Sequence, residues 1–155
     1  MRNLRSILGN SIATAASVLT IALFALPMLV MTIGDVSVDS GTVYEWMGEV
    51  SSNYMADAMK AGIVLFIIAL VIACLLALTA IINLVCGLMS KKINLTAIVR
   101  ALSILLTLFA LIALILVSVD LGETGKVGAG AVMPLIMGMF AIVAAFVAPG
   151  KKKAK

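Results

Sequence analysis

Apolar positions along this chain gather into four long runs, broken by short polar stretches. They lie near residues 12–33, 61–89, 101–119 and 127–147. The second is almost wholly apolar, with Asn83 its one strongly polar residue, and it ends at Ser90-Lys91-Lys92. An uncharged apolar run longer than about 18 residues reads as a transmembrane helix. At about 1.5 Å per residue this run exceeds what a ~30 Å hydrocarbon core requires, so tilt or extension into a headgroup layer is expected. The first run follows a polar lead carrying Arg2 and Arg5. Such a start also describes a signal peptide, but the apolar segment of a signal peptide is only about 7–15 residues, and this run reads as an uncleaved first helix. Pro27 removes a backbone donor and predicts a kink in the outer half of that helix. The expected fold is an all-α membrane protein. It is a single domain over residues 1–155, a four-transmembrane-helix antiparallel bundle with helices near 11–33, 57–89, 95–119 and 127–148.

The polar stretches between the runs predict little regular structure. Residues 34–56 form a short outer loop, with turn signals at Gly34-Asp35 and Ser40-Gly41. Val36 and Val38 alternate with polar residues too briefly to predict a strand. Val43, Met47, Val50 and Tyr54 share one face at helical spacing, so the loop accommodates an amphipathic helix. Ser51-Ser52-Asn53 offers caps for the second helix, and Asn94 offers one for the third. Residues 120–126, with Gly122 and Gly125, read as a tight outer turn. Short connections make helices two and three, and three and four, antiparallel neighbours.

Composition sharpens this picture. The 155 residues are 64% hydrophobic and 12% charged, with a mean hydropathy of +1.27. Soluble domains run about 45–50% apolar and ~25% charged, so the excess is surface facing lipid. The net charge is +4, and its distribution sets the threading. Arg2, Arg5, Lys91, Lys92, Arg100 and the lysines of the C-terminal tail fall on one side; all seven acids, with Lys60 and Lys126, fall on the other. Basic clusters beside helix ends follow the positive-inside pattern, which predicts a multi-pass protein of the cell membrane with both termini cytoplasmic. They also attract anionic lipid at the inner face. They form no basic groove with reading or stacking residues, so no nucleic-acid partner is expected.

Candidate chemistry is sparse. Ala69, Ala73 and Ala77 on the second helix, and Gly130 and Gly138 on the fourth, recur at spacings that let helix backbones approach closely. They are candidate packing stripes, within the chain or against a second copy or a membrane protein partner. Asn83 and Arg100 are the candidate intramembrane polar residues. Asn83 cannot satisfy its amide on its own helix, so an interhelical hydrogen bond is expected. Arg100 reads as an inner-headgroup anchor by snorkelling, or as a buried counter-charge. Thr14, Ser17, Thr20, Ser103 and Thr107 can bond back to their own helices. In the outer loop, Trp46 is read as an interfacial or partner anchor, and Glu45 and Glu49 as a face for a basic partner. The chain has no histidine and no Cys-x-x-Cys, and Cys74 and Cys86 lie on one helix too far apart to pair. No catalytic, metal or cofactor site is expected.

The threading is similar to that of claudin-like and other tetraspan families, with four helices, both ends inside and a larger first outer loop. Trp46 stands in that loop where claudins carry a tryptophan motif, but the claudin cysteine pair has no counterpart here. The resemblance is one of architecture and implies no family membership. The leading functional expectation is a non-enzymatic accessory, scaffold or interaction subunit. The competing one is a small oligomeric channel or carrier for ions or small solutes, its pore formed between protomers.

Overall fold

A computed structural model describes residues 4–33, 35–39, 41–49, 57–89, 93–121 and 125–147. Its long elements are helices, and they follow the apolar runs with one exception. The first helix, α1, covers Leu4–Leu23 and gives way to strand β1 at Leu29–Ile33. Strand β2, Val36–Asp39, and helix α2, Val43–Glu49, come next. Helices α3, Asp57–Leu88, and α4, Thr96–Asp120, are followed by strand β3, Gly125–Val127, and helix α5, Ala129–Val147. Three helices (α3, α4 and α5) are long and apolar enough to cross a membrane; the apolar part of α1, Ile7–Leu23, is shorter.

The exception corrects the expectation of one kinked helix over residues 11–33. The helix stops at Leu23, and the chain behind it turns tightly, with Ala25 N donating to Ala22 O at 3.0 Å and Leu26 N to Leu23 O at 3.1 Å. Pro27 explains the break. It has no N–H to continue the ladder, its ring would strike the Leu23 carbonyl, and it pushes Leu26 out of helical geometry. Beyond it, Leu29-Val30-Met31-Thr32-Ile33 is rich in β-branched residues and finds strand partners. β1 pairs antiparallel with β2, Val30 opposite Asp39 and Ile33 opposite Val36. On its other side it pairs antiparallel with β3, Leu29 opposite Val127 and Met31 opposite Gly125. The order is β2-β1-β3. Two further expectations are corrected with it: Val36 and Val38 do belong to a strand, and the stretch expected as a tight turn ends in one. Apolar content alone could not tell a helix from a strand here, because both bury side chains.

Each long helix packs against two others, α3 on α1 and α4, and α5 on α1 and α4. Their buried positions repeat every seven residues. On α3 these are Phe66, Ala73 and Ala80 with Ala69, Leu76 and Asn83; on α4, Val99, Leu106 and Ala113 with Ser103, Ala110 and Val117. Ala131, Gly138 and Ala145 do the same on α5, and Asn10 and Ser17 on α1, with Phe24 continuing the spacing just past its end. A seven-residue repeat is the spacing of helices crossing at a shallow left-handed angle. Most of these residues are small, so the backbones come close. A Cβ on Gly62 would lie 2.6 Å from Val117 Cγ2, and one on Gly138 would lie 2.6 Å from Thr107 Oγ1. Ala69, Ala73, Ala77, Gly130 and Gly138 are all buried in this interior. At the sheet end, Phe24 and Phe66 meet edge to face with centroids 6.2 Å apart.

The glycines make this packing testable. Gly138→Leu should lower Tm in detergent well below Leu114→Ala, because Thr107 contributes backbone as well as side chain to the contact. Gly87 has open space where a Cβ would go, so Gly87→Ala should leave Tm unchanged or raise stability by up to about 1 kcal/mol. A Gly138→Leu protein melting like wild type would place that glycine on the surface.

Candidate functional site

Polar side chains inside the bundle concentrate at the end opposite the sheet. Asn83 of α3, only 4% exposed, donates through Nδ2 to Asn10 Oδ1 of α1 at 2.9 Å and to Thr96 Oγ1 of α4 at 3.4 Å. Its Oδ1 accepts the Leu95 N–H at 3.0 Å. The whole amide is therefore used, and it ties three helices in one layer. Leu95 is the N-cap position of α4 and offers no capping side chain; Asn83 supplies the missing acceptor from a different helix. Asn94, expected as the cap, takes the Thr96 N–H instead, at 3.0 Å. Asn10 and Thr96 were not singled out by sequence. Asn10 stands in what reads as a polar lead, and only the earlier start of α1 would have marked it as inward-facing.

Arg100 lies on α4, half-buried, and reaches sideways to α5. Its Nε donates to Ala145 O at 2.9 Å, and its guanidinium carbon stands 4.9 Å from the Phe146 ring centroid. Ala145 O belongs to the last turn of α5, where carbonyls lack an intrahelical donor. That turn contains no basic residue of its own. Arg100 thus brings a donor and a positive charge to the negative end of a neighbouring helix. Both contacts lie within the protein.

At the sheet end, α2 forms a strap over the junction of α1 and α3. It begins with a reciprocal cap: Thr42 N donates to Glu45 Oε2 at 2.7 Å, and Glu45 N donates to Thr42 Oγ1 at 3.3 Å. Thr-x-x-Glu is the signature of a capping box, and it was legible in residues 42–45. Glu45 is exposed, as expected, and one of its carboxylate oxygens also closes the helix start. Gly41 precedes it with φ +72°, and a Cβ there would lie 2.9 Å from Trp46 Nε1. Val43 is fully buried, and Trp46 is half-buried against the core. Tyr44 donates its hydroxyl to Ile21 O at 2.8 Å, one of the terminal carbonyls of α1. Burial, and then the Cys74 thiol nearby, push the Tyr44 phenol up, so it stays a donor at neutral pH. Met47 is exposed. The Glu49 side chain, Val50, the Ser51-Ser52-Asn53 cap and Tyr54 lie outside the described residues.

Hydroxyls in the helices bond back to their own turns: Thr14 to Asn10 O, Ser17 to Thr14 O, Thr20 to Ala16 O, Ser103 to Val99 O and Thr107 to Ser103 O. Among the described residues no buried side-chain nitrogen or oxygen lacks a partner. Nor, among them, do three or more His, Cys, Asp or Glu side chains gather where a metal could sit. Cys74 is exposed and Cys86 buried, and neither is in a disulfide. The hydroxyls serve their own turns, while Asn83 and Arg100 tie one long helix to another. No family model, no curated protein and no solved structure matches the chain.

A double-mutant cycle tests the polar layer. Asn10→Ala and Asn83→Ala should each destabilise the protein, and their coupling should be about 0.6–1.7 kcal/mol. Additive losses in detergent melts would mean that the two amides do not depend on each other.

Proposed function

We propose that this chain crosses a membrane four times as an antiparallel bundle, with both termini cytoplasmic and the sheet and α2 outside. In this reading it is a non-enzymatic accessory or scaffold subunit of the cell membrane. The filled interior carries the proposal. The seams of Ala, Gly and Ser bring the helices close along their length, and among the described residues every buried side-chain nitrogen and oxygen has a partner within the protein. That supports a body built for packing and contact, because an aqueous path needs polar groups turned towards water. The strap α2 supports an outer contact surface, since it presents Tyr44 and Met47 on a rigid base. The charge distribution supports the orientation.

Threading is tested with Cys74 and Cys86 replaced. A cysteine at Asp35 should react with an impermeant maleimide added to intact cells, and one at Ala154 should react only after permeabilisation. The reverse pattern would invert the protein. Function is tested by flux. Purified protein in sealed vesicles should pass ions and small solutes no faster than protein-free vesicles, and a reproducible flux would replace this reading with a channel or carrier. Outer contacts are tested with Trp46→Ala and Glu45→Gln. The glutamine keeps the capping box and removes the charge. Loss of a defined co-purifying partner with either variant, at unchanged Tm, would locate recognition on α2; an unchanged partner set would move it to a helix face.

A further inference from the structure

α1 ends at a level where its neighbours still expose apolar side chains. Phe24, just past its end, meets Phe66 of α3 edge to face, so the two share one level. Further towards the sheet end Val64 of α3 is exposed, and the nearest charge on that helix is Lys60. Gly62 of α3 faces Ala113 and Val117 of α4. Beside them Ile115 and Val119 of α4 are exposed. Lipid that covers these side chains reaches past the end of α1.

α2 is fastened at this level. The Tyr44 hydroxyl reaches Ile21 O in the last turn of α1, and its ring stands near Cys74 of α3. Cys74 lies fourteen residues from Lys60 along that helix, about 21 Å. The acceptor is one that the break of α1 leaves open. In a continuing helix Ala25 N would donate to Ile21 O, but here it donates to Ala22 O at 3.0 Å. At an aqueous surface water would serve such a carbonyl; in hydrocarbon only a protein donor can. Other groups at the break are taken up as well, with Leu26 N donating to Leu23 O and Gly130 N to Pro27 O. Glu45 sets the outer limit, because its exposed carboxylate belongs with headgroups and water.

We infer that α2 lies in the outer leaflet, at the boundary of acyl chains and headgroups, where exposed Tyr44 and Met47 meet lipid and the Tyr44 hydroxyl closes the break of α1 from the acyl side. The inference rests on the four-span reading and names what meets the surface of α2. An aromatic ring with one polar atom favours this boundary. Exposed Val18 and Leu19 on α1 continue the apolar surface inward from it, and Val64 on α3 continues it outward.

Trp46 is the only tryptophan, so the unmodified full chain reports on α2 through its own fluorescence. In nanodiscs its emission should be quenched by phosphatidylcholine brominated along the acyl chains. Aqueous iodide should quench it several-fold less than it quenches N-acetyltryptophanamide. Strong quenching by iodide would place α2 in water, and protection from both quenchers would mean that protein covers it; either result overturns the inference. Tyr44→Phe tests the hydroxyl. Tm in nanodiscs should fall by on the order of 5 °C, because no water replaces the lost donor; an unchanged Tm would overturn that role. The maleimide labelling above separates the two failures. If labelling fails, both readings fall. If it holds and iodide reaches Trp46, only this one falls.

Discussion

The ends of helices are the expensive part of this structure. An α-helix leaves four N–H and four C=O groups without partners at its termini, and water cannot satisfy them in a low-dielectric interior. Here neighbouring elements do so. Tyr44 of α2 donates to the end of α1, Asn83 of α3 accepts from the start of α4, and Arg100 of α4 donates to the end of α5. The start of α5 is met by backbone: Gly128 N donates to Met28 O at 2.7 Å and Gly130 N to Pro27 O at 2.9 Å. Each cap is also a tie between elements, so local satisfaction and tertiary order are achieved by the same bonds. Thr42 and Glu45 close the start of α2 from within, and Asn94 takes the first N–H of α4.

Close approach of the backbones arises from the same economy. Gly128 and Gly130 can reach the carbonyls of Pro27 and Met28 only because no Cβ stands between; a Cβ on either would run into that backbone. Along the bundle, alanines and glycines serve dispersion contacts, which matter more where lipid gives helices little hydrophobic reason to associate. Bulky side chains are turned outward. Leu105, Leu108, Ile112 and Ile115 of α4 are exposed, while Leu106, Ala110, Ala113 and Val117 are buried.

Much of this was legible in the residues. The helices expected at 57–89 and 95–119 became α3 and α4 to within a residue, since length and apolarity suffice where a helix is uninterrupted. Pro27 was visible, but its effect depends on the partners open to residues 29–33. A helix would resume if that segment could only pair with itself, and here two strands, one of them distant in sequence, wait for it. The Thr42–Glu45 box was legible and was obscured by reading acids in a loop as a charged face. Asn83 was recognisable as a residue needing a partner; Asn10, seventy-three positions earlier, was not. Amides carry no periodic signature that names their mates. Arg100 shows the same limit, because its acceptor is a backbone carbonyl, which every residue has.

The central place of β1 in its sheet bears on how the chain is made. Its first partner, β2, comes at once, but β3 emerges about ninety residues later, after α3 and α4. At ordinary synthesis rates that interval is roughly 5–20 s, far longer than a hairpin needs to form. Until the ribosome has supplied β3, any pairing of β1 with β2 has one flank open. The start of α5 likewise waits for the carbonyls of Pro27 and Met28, which were made long before. The nascent chain thus holds a half-finished sheet ready for its own last segment. Any other extended peptide present during synthesis competes for the same edge, and arrival of residues 125–130 ends that competition.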